Sequence, residues 1–226
     1  KPVLGNDQFA IGCDISFGTG SSNSVASVGN RKTRQKVAQL TCNGLSPERF
    51  AIYVVALCRW FEDAFLGWDA LGPGHPFKNV VVEQGYGNIY YKRNEKTWVR
   101  KPTDLPGFWC TQQNKIALIG AYAEDLSSGN FKNPAIDAIT ECTEYVFDGR
   151  SIEHVKSLSN GDPSASGDNH GDMVIADAIL NLLCHDRPQE VPAIVPARPE
   201  EFTFGHRLRE AVERRNRAHQ ENWHHV

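Results

Sequence analysis

No stretch of about 18 consecutive apolar residues occurs in the sequence, which excludes a transmembrane helix and gives no sign of a membrane partner. The opening Lys1-Pro2-Val3-Leu4-Gly5 has no apolar signal-peptide core, so secretion is not expected. It also has no initiator methionine, and the chain is expected to be a piece of a longer one. There is no excess of positive charge: the formal net charge is −3, so nucleic-acid binding cannot be argued from the total. Carboxylates that hold metal would cancel basic patches elsewhere, and the distribution of charge matters more than its sum. The six cysteines (Cys13, Cys42, Cys58, Cys110, Cys142, Cys184) form no CxxC pair and have no histidine at zinc-ligand spacing, which excludes a zinc module. Reduced core thiols are expected instead. No GxxxxGK[ST] phosphate loop and no internal repeat is present.

What is present fits one globular domain: 226 residues, 40% apolar and 23% charged, are enough for a single core and leave little for a second. In residues 8–16 Phe9, Ile11, Cys13 and Ile15 alternate with Ala10, Gly12, Asp14 and Ser16, predicting a strand with one apolar face and Asp14 mid-strand on the other. Strands are predicted at 24–28 and 35–42, joined by short turns into an antiparallel meander. Ser46-Pro47-Glu48 opens a helix that runs to about Asp63, with Ser as N-cap and Pro in the first turn. A short strand over 64–69 stops at Gly72-Pro73-Gly74. A short helix over 76–84, a strand over 88–91, helices over 112–126 and 134–141, and a hairpin from 144–147 and 152–156 follow. A polar loop over 159–169 precedes a helix over 170–184. Prolines 188, 192, 196 and 199 then mark a stiff linker over 187–203, and residues 204–226 read as a basic helix. The order predicts an α/β domain over 1–186, with a mixed sheet built on the three-strand meander and flanked by helices.

Three acids stand where chemistry wants them: Asp14 on the first strand, Asp69 as the last residue of its strand, and Asp172 at a helix start. Taken singly, each has an ordinary reading as a solvent-facing strand acid, a turn cap, or an acid favoured by the helix dipole. Taken together, three converging carboxylates suit hard divalent cations, which want oxygen ligands. Two such ions about 3.5–4 Å apart can activate a water and stabilise the leaving oxygen in phosphodiester hydrolysis. Glu83 is the rival second acid, but its setting reads as helix surface. Asp177 lies five residues past Asp172, roughly 140° round the helix, so the two cannot face one site.

Four segments carry a family resemblance over about residues 8–184. Gly12-Cys13-Asp14-Ile15-Ser16-Phe17-Gly18-Thr19-Gly20 resembles the opening of the nuclease domain of tailed-bacteriophage terminase large subunits, a ribonuclease H-like fold. Trp68-Asp69-Ala70-Leu71-Gly72-Pro73-Gly74 resembles its second acidic motif, with Leu71 where Asn is usual and Asp69 where Glu is commoner. Gly85-Tyr86 to Tyr90-Tyr91 is similar to the segment that follows. His170-Gly171-Asp172-Met173-Val174-Ile175-Ala176-Asp177-Ala178 resembles the closing helix, with Gly171 where many members carry Asp. The resemblance implies an endonuclease that cleaves double-stranded concatemeric viral DNA during genome packaging, with little sequence specificity. It implies Asp14, Asp69 and Asp172 as catalytic and metal-binding residues for Mg²⁺ or Mn²⁺, two ions in all. His170 would orient a ligand or phosphate, Asp168 would assist as an outer ligand, and Ser16 would serve the tight hairpin. The portal protein and the small terminase subunit would be partners, an ATPase domain would lie upstream of this chain, and the host cytoplasm would be the place of action.

Phosphate contacts would dominate binding to such a substrate. The basic candidates are Arg31, Lys32 and Arg34 after the second strand, and Lys92, Arg93, Lys96, Arg100 and Lys101, with Trp98 among them. A structure-specific nuclease of the same fold, such as a Holliday-junction resolvase, is the nearest alternative. A sugar-kinase or actin-like nucleotide binder also opens on an Asp and a Gly-rich hairpin, but it needs a later Asp-Gly-Gly motif that this sequence lacks. A non-enzymatic adaptor would not need the acid set.

Overall fold

The computed structural model describes residues 8–93, 102–148, 151–155 and 171–186. The loop over 159–169, the linker over 187–203 and the basic helix over 204–226 lie outside the described residues. The chain opens with strands β1 (Phe9–Asp14), β2 (Ser24–Asn30) and β3 (Gln35–Cys42), paired antiparallel in the expected meander. Strand β4 (Phe65–Trp68) adds parallel to β1, giving the order β3-β2-β1-β4. Asp14 therefore ends β1 rather than lying within it, and Asp69 comes one residue after β4. The strand expected over 88–91 is reduced to one parallel bridge, Ile89 to Leu66. The chain then turns into β5 (Tyr91–Arg93), which pairs antiparallel with β6 (Pro102–Pro106). Nothing in Pro-Thr-Asp-Leu-Pro predicts β6, because two prolines and one leucine show no alternation.

Helix α1 (Pro47–Trp60) starts as expected: the Ser46 hydroxyl accepts from the Arg49 N–H at 3.5 Å and Pro47 opens the first turn. It ends three residues short of Asp63, because Glu62 and Asp63 both take positive φ. Helix α2 (Gly74–Glu83) begins before Pro76, which the first turn tolerates. Helices α3 (Gln112–Ser127) and α4 (Ile136–Cys142), the hairpin β7 (Tyr145–Asp148) with β8 (Ser151–His154), and helix α5 (Asp172–His185) complete the described fold. Among the described residues no helix is long and apolar enough to cross a membrane. All six cysteines are free, with Cys13, Cys58 and Cys184 buried.

Strand β1 is covered on both faces, not one. Ile11 and Cys13 pack with Phe50, Val54, Cys58, Phe77 and Val81 of α1 and α2. Ala10, on the other face, joins Phe65, Leu118, Tyr122, Ile179, Leu180 and Leu183 of β4, α3 and α5. Each large side chain buried this way contributes about 1.5–3 kcal/mol. Small residues make the second face possible. A Cβ on Gly12 would stand 2.4 Å from both the Ala176 carbonyl oxygen and the Leu180 nitrogen. Gly29 of β2 and Gly67 of β4 lie under the Leu180 and Leu183 side chains. Helix α5 thus rests in a trough across three strands, and this seat fixes where its first residue, Asp172, stands.

Candidate active site

Because β1 and β4 are parallel neighbours, their C-terminal ends lie at the same end of the sheet. The Asp69 N–H donates to the Cys13 carbonyl at 3.0 Å, which sets Asp69 beside Asp14. Asp172 arrives from α5: its Oδ2 accepts from the Asn23 N–H at 2.7 Å, and Asn23 directly precedes β2, where Val25 pairs with Asp14. Two strand ends and one helix start therefore bring Asp14, Asp69 and Asp172 together. Asp69 is held further by N–H groups from Leu71 at 3.0 Å and Cys110 at 3.3 Å, both on Oδ1. The turn-capping role of Asp69 is real, and it orients the carboxylate.

The electrostatics are those of a site rich in negative charge. The Asp14 carboxyl is held well above the usual carboxylate range, first by burial and then by the charges of Asp172 and Asp69. The Ile15 N–H pulls it back in part, and Glu141 adds to the rise. The Asp69 carboxyl is also raised by burial, against lowering by the Leu71 and Cys110 N–H groups and by the Lys115 ammonium. The Cys110 thiol is pushed up to about 12 by burial, then by Asp69 and Asp14. Among the described residues no three His, Cys, Asp or Glu side chains stand close enough, as placed, to hold a metal ion. The charges of Asp172 and Asp69 nevertheless act on Asp14.

Several groups at this end are not singled out by the sequence. Glu141 is buried and its Oε1 accepts from the Val174 N–H at 2.8 Å, capping the first turn of α5 from α4. The Tyr145 hydroxyl donates to the Gly171 carbonyl at 2.8 Å. Its own proton is held more tightly than usual by burial and by Asp14, Glu141 and Asp172. Gly171 caps α5 with φ of 88°, and a Cβ there would meet the Tyr145 hydroxyl at 2.3 Å, so no aspartate fits in that pose. Lys115 on α3 pairs with Glu153 of β8 at 2.7 Å. These contacts span large sequence separations, and no local pattern announces them.

The remaining expected residues fall as follows. Ser16 is buried in the hairpin: its N–H donates to the Ser24 Oγ at 3.0 Å, and its Oγ accepts from the Gly18 N–H at 3.3 Å. Glu83 ends α2 on the exposed surface, as read. Arg31 does not face the acids: its Nε donates to the Leu183 carbonyl at 3.1 Å, another guanidinium nitrogen reaches the Asp186 carbonyl, and the group lies over the Phe65 ring. Arg93 pairs with the Asp186 carboxylate. Both arginines thus lock the C-terminal end of α5. Lys32 and Arg34 share that end of the sheet with Arg31, since Asn30 pairs with Phe9 while Val25 pairs with Asp14. The five residue steps between these pairs separate that end from Asp14 by about 17 Å. Lys92 stands over the Trp109 ring at 5.4 Å, one residue from Cys110. His170, Asp168, Lys96, Trp98, Arg100 and Lys101 lie outside the described residues. Asp177 points away from the site and is buried against Lys36 at 2.6 Å.

No family model matches the sequence, and no curated protein matches it. Solved structures do. The large terminase nuclease from thermophilic phage G20c with bound magnesium aligns with a TM-score of 0.57 at 18% identity, over 79% of this chain and 83% of that one. The large terminase nuclease domain of Thermus phage P74-26 aligns with a TM-score of 0.54 at 17% identity, over 76% and 77%. The nuclease domain of the large terminase subunit of bacterial virus Sf6, determined with manganese and beta-thujaplicinol, gives a TM-score of 0.53 at 10% identity, over 81% and 90%. This chain has the mixed α/β, ribonuclease H-like fold of large terminase nuclease domains.

Proposed function

We propose that this chain is a divalent-metal-dependent endodeoxyribonuclease of the large-terminase type, cutting double-stranded concatemeric viral DNA during genome packaging. The carrying observation is the meeting of Asp14, Asp69 and Asp172 at the ends of β1, β4 and α5 in a fold shared with terminase nucleases. The three residues offer only oxygen ligands, which fits Mg²⁺ or Mn²⁺. After burial, the charges of Asp172 and Asp69 raise Asp14, and those are charges a dication would relieve. Asp14, Asp69 and Asp172 would hold the ions, two in this reading, which would supply water activation and stabilisation of the leaving oxygen.

The chain's own part is to hold and orient. Leu71 and Cys110 fix the Asp69 carboxylate, Asn23 fixes that of Asp172, and Tyr145 and Glu141 fix the helix end that carries Asp172. Substrate would be taken through phosphate contacts with little sequence preference. In this reading the domain works beside an ATPase motor, with portal protein and small terminase subunit as partners, in the cytoplasm of an infected host. The test is supercoiled plasmid incubated with Mn²⁺ or Mg²⁺. Nicking and linearisation are expected from the wild type and absent in EDTA, in Asp14→Ala and in Asp172→Ala. Cleavage that survives both substitutions would place the chemistry elsewhere, and a folded wild type that never cuts would overturn the nuclease reading.

A further inference from the structure

We infer that Lys115 is a substrate-contacting residue of this site, its ammonium leaving Glu153 to take a non-bridging phosphate oxygen of the bound DNA strand; this rests on the nuclease reading above. Lys115 stands between the elements that carry two of the acids. On one side Cys110, whose N–H holds Asp69, precedes by one residue Thr111, the N-cap of α3, and Lys115 follows on the first turn. On the other side its Nζ lies 5.9 Å from the centre of the Tyr145 ring, whose hydroxyl holds the carbonyl of Gly171 beside Asp172.

Its present partner is exchangeable. The Lys115–Glu153 pair spans 2.7 Å, and the side chains keep 21% and 33% exposure. Pairs as accessible as this contribute little to stability and are screened by salt. A phosphate oxygen brought to the aspartates would offer the ammonium a full anionic partner at the same place. By contrast, Arg31 and Arg93 are bound into the opposite end of α5, and Lys32 and Arg34 stand at that far end of the sheet. Lys115, with Lys92 over the Trp109 ring, is thus among the described cations on the acids' side of the fold, and it is the one that also contacts the Tyr145 ring beside Gly171.

The experiment uses the full chain carrying Asp14→Asn, in which DNA stays whole, with Mg²⁺ and a short labelled duplex, titrated over a series of salt concentrations by fluorescence anisotropy. Lys115→Met should weaken binding several-fold and reduce the slope of log affinity against log salt by about 1, the mark of one lost phosphate contact. Lys115→Arg should restore the slope. Glu153→Gln, which releases the ammonium, should tighten binding. Lys132→Met, an exposed lysine of the β3 side, should leave the slope unchanged. A purely structural ion pair predicts the reverse pattern: Lys115→Met and Glu153→Gln would act alike, with an unchanged slope, and that result overturns the assignment. An equal drop in slope from Lys132→Met would also overturn it. If the wild type also fails to nick plasmid, the nuclease reading falls with it; if nicking is intact and the slope does not move, only Lys115 is wrong.

Discussion

Helix α5 carries two buried aspartates five residues apart, and the molecule surrounds them in opposite ways. Asp177 is compensated on several sides: the Lys36 ammonium at 2.6 Å, the Asn133 amide at 2.7 Å and the Tyr122 hydroxyl at 3.4 Å all face its carboxylate. It ties β3, α3 and α5 into one core. Asp172 accepts a backbone N–H from Asn23, and its charge raises the carboxyl of Asp14. One acid is neutralised in place, whereas the other adds its negative charge to that of Asp14 at the C-terminal end of β1. A carboxylate with a buried ammonium and two further donors is scaffolding. Carboxylates gathered so that their charges raise one another, as Asp172 and Asp69 raise Asp14, lower the stability of the metal-free fold and point to use by a ligand.

The contrast is sharpest on stability. Asp177→Ala leaves the Lys36 ammonium buried without its carboxylate and should destabilise by about 3–5 kcal/mol, read as a lower urea midpoint. A loss below about 1 kcal/mol would show that the buried pair is not the clamp described here. The seat of α5 ranks next. Gly12→Ala should cost about 1–3 kcal/mol and also lower cleavage, since α5 must lift and carry Asp172 with it. Stability loss with undiminished cleavage would separate the seat from the site.

At the acidic end the sign reverses. Folding raises the Asp14 carboxyl above its unfolded value, so the native state binds more protons between the two. In EDTA, stability should therefore fall as pH rises from about 4 through the raised folded value. Asp14→Asn should flatten that fall and raise the melting temperature at pH 7, by roughly 2–4 °C per kcal/mol regained. A lower melting temperature in this variant would contradict the repulsion. The smallest effect is expected from Tyr145→Phe, which removes one hydrogen bond to Gly171 and should cost about 0.5–1.5 kcal/mol. Its cleavage should fall by more than its stability implies if Tyr145 fixes the helix end.

The same contrast explains what could be read in advance. The meander, α1 with its Ser46 cap, the hairpin of β7 and β8, and the start of α5 follow from local period and caps, and all are legible. The separation of Asp172 from Asp177 follows from helix geometry alone. The burial of both faces of β1 was less visible, because Ala10 and Gly12 look neutral until α5 packs on them. Arg31 and Arg93 read as DNA-facing because charge without tertiary context looks solvated; their partners lie about 150 and 90 residues away. The contacts of Glu141, Tyr145 and Lys115 are illegible in the sequence for the same reason. Each gains its meaning from a contact that no sequence spacing encodes.

The most direct test of the central claim is crystallographic: crystals grown with Mn²⁺ and measured for manganese anomalous scattering. The account predicts peaks between the carboxylates of Asp14, Asp69 and Asp172, and none at Asp177. Manganese bound elsewhere, or none at the three aspartates in a well-ordered crystal, would contradict it.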